Sequence, residues 1–285
     1  MTSENERRRF HFQLCLGRGG FGEVYLAEMH SAGGLRSRVA VKILLEDIDA
    51  RSQAVQRLRD EARLLAVLQH ASIPMVHDLV MLDGRVGLVS EYIEGADLQD
   101  CIQADPPLSP RGLIETIGAV ADAIDAAYTT PGADGEPLNL VHRDIKPANI
   151  RLSVRGDVKL LDFGIARAQF TDREAKTQAN AVIGSFPYMP PERFGRGGPI
   201  DPLGDVYALG CVLYEGITGE RLFGDLGMKQ LYDLAFDPER HREWVKTRLD
   251  ALGGLPPEVA NLLARTLSYD MNDRPTAQDL SLIHI

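Results

Sequence analysis

Asp144, Lys146 and Asn149 lie in the run Val141-His142-Arg143-Asp144-Ile145-Lys146-Pro147-Ala148-Asn149, and Asp162 opens Asp162-Phe163-Gly164 shortly after. A base, a cation and two oxygen ligands so close together suit phosphoryl transfer from a magnesium nucleotide. That reaction asks little covalent chemistry of a protein: it needs an attacking hydroxyl held in line, and charge placed where charge develops. In this reading Asp144 orients and deprotonates the hydroxyl and Lys146 steadies the transferred group. Asn149 and Asp162 hold Mg²⁺, with Mn²⁺ as the alternative, against the nucleotide phosphates.

The elements that must position these groups are legible in part. From Phe10 to Leu44, short β-like runs are broken by glycine: Phe10 to Leu16, Glu23 to Glu28 and Val39 to Leu44, an antiparallel meander with a turn at Gly33-Gly34. Its first turn holds Gly17, Gly19 and Gly22. A Gly-x-Gly-x-x-Gly alone is shared by several kinds of site. A dinucleotide-binding turn should open a helix, yet Glu23 to Ala27 reads as a strand; a P-loop should carry lysine where Glu23 stands. A strand-loop-strand flap over phosphates fits best, with Val24 placed against an apolar base, and a plain glycine hairpin is the competing reading. Val39-Ala40-Val41-Lys42 puts a lysine on a strand built for burial, where it needs a carboxylate or an anion. Glu61, on an amphipathic helix between Arg51 and Gln69, is the expected carboxylate, set against the plainer reading of a surface pair.

Two further strands are expected at Met75 to Met81 and Arg85 to Ser90, around Asp83-Gly84. Past Glu94-Gly95 helical patterns take over: Leu113 to Tyr128, Val206 to Gly216, Lys229 to Ala235, His241 to Leu252 and Pro257 to Ser268. Short strands at Ile150 to Leu152 and Val158 to Leu160 flank Arg155-Gly156, Phe170 to Ala181 is unpatterned, and Pro131 to Pro137 is a loop longer than its connection needs. With 285 residues, 44% of them apolar and 25% charged, the chain can bury one or two cores. A net charge of −10 argues against a general nucleic-acid binder. No run of about 18 apolar residues offers a membrane span. The widely spaced Cys15, Cys101 and Cys211 fit a reducing, cytoplasmic setting better than a disulfide or zinc framework.

Taken in order, Gly17 to Val24, Val39 to Lys42, Glu61, His142 to Asn149, Asp162 to Gly164, Pro190-Pro191-Glu192, Asp205 and Arg274 resemble a eukaryotic-like protein kinase catalytic domain, in its bacterial Ser/Thr branch. The resemblance covers Phe10 to Leu280. It implies an α+β, bilobal protein-kinase-like fold: a catalytic domain over 10–279, with a small antiparallel β-rich N-lobe with one helix (10–93) and a larger, mainly helical C-lobe (94–279). ATP and Mg²⁺ are expected between the lobes, with a Ser or Thr hydroxyl of a protein substrate attacking the γ-phosphate. The alternative is a pseudokinase acting as a nucleotide-binding or scaffolding module.

The resemblance also assigns roles. Lys42, held by Glu61, meets the α- and β-phosphates. The carbonyl of Glu91 and the N–H of Ile93 read adenine, Val24 and Ala40 cover it, Asp97 meets the ribose or merely starts a helix, and Ser90 leaves the pocket behind adenine open. Lys146 with Ser185 resembles the Ser/Thr-selective arrangement. Glu192 with Arg274, and Asp205, are structural braces. Arg143 is expected to receive a phosphorylated Thr177, or second Thr171, by modification in trans between two copies.

Three departures stand out. Arg151 occupies the floor under adenine, where an apolar residue is usual; its stem is expected to serve while the guanidinium snorkels outward. Pro190 replaces alanine, and the 131–138 loop is an insertion. Residues 280–285 match the translation of a transposon-derived sequencing adapter, so a non-native tail is expected there, with the native protein continuing as relatives do into a linker, a membrane helix or a sensor domain; a genuine apolar end to the last helix is the competing reading.

Overall fold

The structure, a computed structural model, describes residues 8–19, 22–31, 33–44, 62–163, 185–195 and 201–282. These fall into two compact units. One draws on residues within 8–69 and 74–94, the other on 70–73, 95–163 and the described residues from 185 onward.

The first unit is a five-stranded antiparallel sheet of β1 (Arg9–Gly19), β2 (Gly22–His30), β3 (Arg36–Leu44), β4 (Val76–Leu82) and β5 (Arg85–Glu91), in the order β1-β2-β3-β5-β4. Alternation along β3 sends Val39, Val41 and Ile43 inward, where they pack with Ala27 and Val89. Burying each such branched side chain contributes about 1.5–3 kcal/mol. Asp83 and Gly84 turn β4 into β5 with positive φ at both positions, as the Asp-Gly pair leads one to expect. The helix expected between Arg51 and Gln69 is described over 62–67, with Ala62 and Leu65 buried. β1 extends beyond the expected Leu16, and it is an edge strand that leaves Phe12, Leu14 and Leu16 exposed.

The second unit begins with a short strand, β6 (Gly95–Asp97), and a short helix, α1 (Leu98–Gln103), neither of which the sequence pattern reveals. β6 pairs with β7 (Ile150–Ser153), which pairs with β8 (Val158–Leu160). The helices are α2 (Pro110–Thr129), α3 (Pro202–Thr218), α4 (Met228–Ala235), α5 (Pro238–Asp250), α6 (Pro257–Thr266) and α7 (Ala277–Ser281). Ser109 caps α2 by accepting the Gly112 N–H, and proline follows at the first helical position. Asp201 caps α3 through the Leu203 N–H, and Gly219, at φ 76°, ends it. α3 is buried from Gly204 to Glu215 and α7 lies on α2, with Leu280 buried. The 131–138 insertion is an ordered excursion rather than an open loop. Pro131 bridges Pro137, Gly132 N–H donates to the Glu136 carbonyl at 2.7 Å, and Leu138 N–H returns to Thr130 at 2.9 Å. The fold class is α+β: an antiparallel sheet in one unit and a mainly helical second unit.

Candidate active site

In the first unit, strand register gathers the residues expected to meet a nucleotide. Val24 pairs with Lys42 and Leu26 with Ala40 across β2 and β3, while Ala40 pairs with Ser90 and Lys42 with Leu88 across β3 and β5. Directly opposed residues share a face, so Val24, Ala40, Lys42 and Ser90 lie together on the face opposite the Val39-Val41-Ile43 core. Gly17 pairs with Val24 and Gly19 with Gly22, so the glycine turn closes over the end of that same hairpin. Gly22 is sterically required, because a Cβ there would stand 2.2 Å from the Ile43 carbonyl oxygen; Gly17 carries no such demand. The Glu91 N–H is committed to the Met75 carbonyl at 2.8 Å, and Ile93 is buried. Arg38 ties the segment after β5 to β3: its guanidinium reaches Glu94 at 2.7 Å and lies 5.4 Å from the centre of the Tyr92 ring.

In the second unit, Asp144, Lys146, Asn149 and Ser185 form one connected cluster. Lys146 Nζ donates to Asp144 Oδ2 at 3.0 Å and to Ser185 Oγ at 3.1 Å. Asn149 Nδ2 donates to the Asp144 carbonyl at 2.7 Å and to Asp144 Oδ2 at 3.1 Å. The base is thus held from two sides by donors, which fixes its aim. A 3₁₀ turn over Pro147–Asn149 brings Asn149 back toward Asp144, and the Leu161 N–H, one residue before Asp162, donates to the Asn149 carbonyl at 2.7 Å.

The loop holding Asp144 is braced from below. Asp205, buried near the start of α3, accepts the His142 N–H at 2.7 Å and the Arg143 N–H at 2.8 Å, while Arg143 itself takes a left-handed backbone, φ 68°. Burial pushes the Asp205 carboxyl up, and those two amide donors pull the other way. His142 is fully buried, packed edge-on against Phe163. Its Nε2 lies 2.9 Å from the Leu161 carbonyl, and its Nδ1 accepts the Asp144 N–H at 3.3 Å, which assigns the neutral tautomer with the proton on Nε2. Burial lowers its pKa, in keeping with that neutral form. Glu192 and Arg274 form a two-pronged pair at 2.8 Å for both bonds, and Arg274 also donates to the carbonyls of Ser268, Leu203 and Tyr269. Its guanidinium sits 4.8 Å from the Tyr207 ring centre.

The residues also fit a hard divalent cation. Both Asn149 Nδ2 bonds are spent inside the loop, which leaves amide Oδ1 as the ligating atom, and the Asp162 carboxylate follows from a left-handed position, φ 55°. Among the described residues no three His, Cys, Asp or Glu side chains cluster as a metal cage. Two oxygen donors with phosphates completing the shell is how Mg²⁺ is ordinarily held. Glu61, Thr171 and Thr177 lie outside the described residues, as does Gly164.

One expectation requires correction. Arg151 does not snorkel outward: its Nη1 donates to Asp97 Oδ1 at 2.6 Å and its Nη2 to the Gly95 carbonyl at 2.7 Å. The β6–β7 register puts Asp97 directly opposite Arg151, so an anion and a carbonyl stand within reach and outcompete water. Asp97 precedes α1, but its side chain makes no capping bond there.

Residues 10–282 match the protein kinase domain family. The chain belongs to that family. Its relatives lie in the bacterial, eukaryotic-like branch. Serine/threonine-protein kinase PknB of Mycobacterium leprae is 37% identical over 253 residues, covering 86% of this chain and 39% of that protein. Tyrosine-protein kinase MasK of Myxococcus xanthus is 33% identical over 272 residues, covering 92% of this chain and 40% of that protein. The chain therefore spans about two fifths of the length of these curated relatives. Among solved structures, a double-mutant form of the Mycobacterium tuberculosis PknI kinase domain superposes with a TM-score of 0.64 at 26% identity, covering 96% of this chain and 94% of that one. Within this kinase domain, sequence reasoning missed Arg193, whose Nη1 holds the Arg143 carbonyl at 2.9 Å; a basic residue directly after Glu192 was the available signal. It also missed Glu215, buried on α3, which accepts from Tyr188 at 2.5 Å and anchors the chain just past Ser185.

Proposed function

We propose that this chain is a catalytic domain, over 10–279 with lobes at 10–93 and 94–279, that transfers the γ-phosphate of ATP to Ser and Thr hydroxyls of proteins, with Mg²⁺ or Mn²⁺ as the cation. The observation that carries this reading is the Asp144-Lys146-Ser185 relay with Asn149 closing on the same carboxylate. An acceptor hydroxyl placed at Asp144 gives its proton to the carboxylate as its oxygen bonds to the γ-phosphorus. The bond from that phosphorus to the β–γ bridging oxygen breaks, and ADP leaves. Lys146 offsets negative charge building on the phosphoryl oxygens, and Ser185 fixes its ammonium in place. Asn149 and Asp162 are the residues that hold the cation, which supplies charge neutralisation at the phosphates. On the nucleotide side, Gly17, Gly19 and Gly22 cover phosphates, Lys42 binds them with Glu61 as its partner, Val24 and Ala40 enclose the base, and Glu91 and Ile93 read its edge.

A hydroxyl bridging base and lysine supports Ser/Thr acceptors, and the relative named as a tyrosine kinase makes the acceptor type a point to measure. Arg143 supports regulation by phosphorylation: among the described residues its Nε is buried without a hydrogen-bond partner. A phosphate on Thr177, or on Thr171, supplies that partner, transferred from ATP with one copy acting on another in trans. No helix among the described residues is long and apolar enough to cross a membrane.

The test is transfer of label from γ-labelled ATP to the chain itself and to a general protein substrate, with Mg²⁺, beside Asp144→Asn and Lys42→Met. Transfer by the wild type that both variants abolish supports the proposal. Nucleotide binding without any transfer points to the pseudokinase reading instead.

A further inference from the structure

We infer that Arg151 takes Asp97 out of sugar recognition, so that this protein uses ATP and deoxy-ATP nearly alike. The inference rests on the kinase reading above and on Asp97 standing at the ribose position. A carboxylate there would discriminate ATP from its deoxy analogues by accepting a ribose hydroxyl. In this protein the carboxylate is engaged: Arg151 Nη1 donates to its Oδ1 at 2.6 Å, the shorter of two anchoring bonds, and Nη2 donates to the Gly95 carbonyl at 2.7 Å.

Three features make the arrangement hard for a nucleotide to displace. The pair is partly sheltered, with side-chain exposures of 22% for Arg151 and 33% for Asp97, so water does not screen it fully. At Oδ1 the guanidinium brings a full positive charge that a sugar hydroxyl lacks, so a sugar does not displace the arginine there. The backbone also sets the two side by side. Asp97 and Arg151 are direct register partners, and Gly95 is so close to β7 that a Cβ on it would stand 1.9 Å from the Leu152 carbonyl oxygen. The second oxygen, Oδ2, belongs to the same neutralised carboxylate, and a hydroxyl bonded there gains only an ordinary, water-exchangeable hydrogen bond. Asp97 makes no capping bond to α1; among the described residues its side chain holds Arg151.

The experiment compares kcat/KM for ATP with kcat/KM for deoxy-ATP lacking either sugar hydroxyl, and Kd for ADP with Kd for the matching deoxy-ADP, in the wild type and in Arg151→Leu. The wild type should prefer ATP by no more than about 3-fold, the scale of a weak exchangeable hydrogen bond. Arg151→Leu frees the Asp97 carboxylate for the sugar, and the preference should rise to about 10-fold or more. The wild-type ratio needs no variant, and melting temperatures show whether Arg151→Leu is folded. A wild-type preference above about 10-fold overturns the inference, as does a folded Arg151→Leu with an unchanged ratio. Failure of every nucleotide to bind overturns the kinase reading, and the inference with it; binding with strong wild-type sugar discrimination leaves the kinase reading standing.

Discussion

Ser185→Ala offers a direct probe of the catalytic cluster. Lys146 Nζ has two acceptors, Asp144 Oδ2 at 3.0 Å and Ser185 Oγ at 3.1 Å, and Ser185 is 5% exposed. Alanine removes the second acceptor and lets the ammonium swing about the first. A hydrogen bond to a charged group is worth about 1.5–3 kcal/mol, and the remaining bond to Asp144 argues for the lower end. About 1.5 kcal/mol of lost transition-state stabilisation is roughly a 10-fold fall in kcat. Ser185 accepts from Lys146, the group assigned to the transferred phosphoryl, so KM for ATP should change by less than about 2-fold, the pattern of an interaction felt in the transition state. Ser185→Thr keeps the hydroxyl and should recover activity to within about 3-fold. The assay is initial-rate transfer to a peptide under varied ATP, with melting temperatures alongside. Wild-type kcat in Ser185→Ala, or a loss confined to KM or to melting temperature, would refute the assigned role.

Three further outcomes follow from other parts of the second unit. Arg274→Met leaves Glu192 and three carbonyls without their buried donor, and should cost about 3–5 kcal/mol in denaturant unfolding at neutral pH. Burial and the charges of Arg274 and Arg242 push His241 down to about 4, against about 6.5 when unfolded, so the unfolded chain takes up a proton that the folded one refuses. Stability should be complete above about pH 6.5 and fall as pH drops toward 4, by at most about 3 kcal/mol from this group; buried His142 pulls the same way, and His241→Gln should flatten the slope. Arg143→Ala should abolish any gain in kcat on autophosphorylation while leaving phosphate incorporation at Thr177 detectable by mass spectrometry; a retained gain would remove Arg143 as its receiver.

How much of this was legible in the sequence depended on whether the controlling interaction was local. The strands around Lys42 announce themselves because β-branched residues alternate across Val39 to Ile43, and α2 and α3 because their apolar faces repeat over several turns. β6 and α1 were missed because three and six residues are too few to establish a period. The catalytic cluster was readable as a list of residue types, since Asp144, Lys146 and Asn149 share one turn; the part played by Ser185 came from resemblance, because its approach to Lys146 spans 39 positions. Arg151 shows the limit most clearly. Its chemistry was visible, but its partner was set by the pairing of β6 with β7, which no local pattern specifies.

The central claim is transfer to Ser and Thr hydroxyls through Asp144, and phosphoamino-acid analysis tests it most directly. After incubation with labelled ATP and Mg²⁺ and a mixed protein substrate, the wild type should yield phosphoserine and phosphothreonine, with neither above background for Asp144→Asn. Label found only on tyrosine, or equal label with Asp144→Asn, would contradict the account.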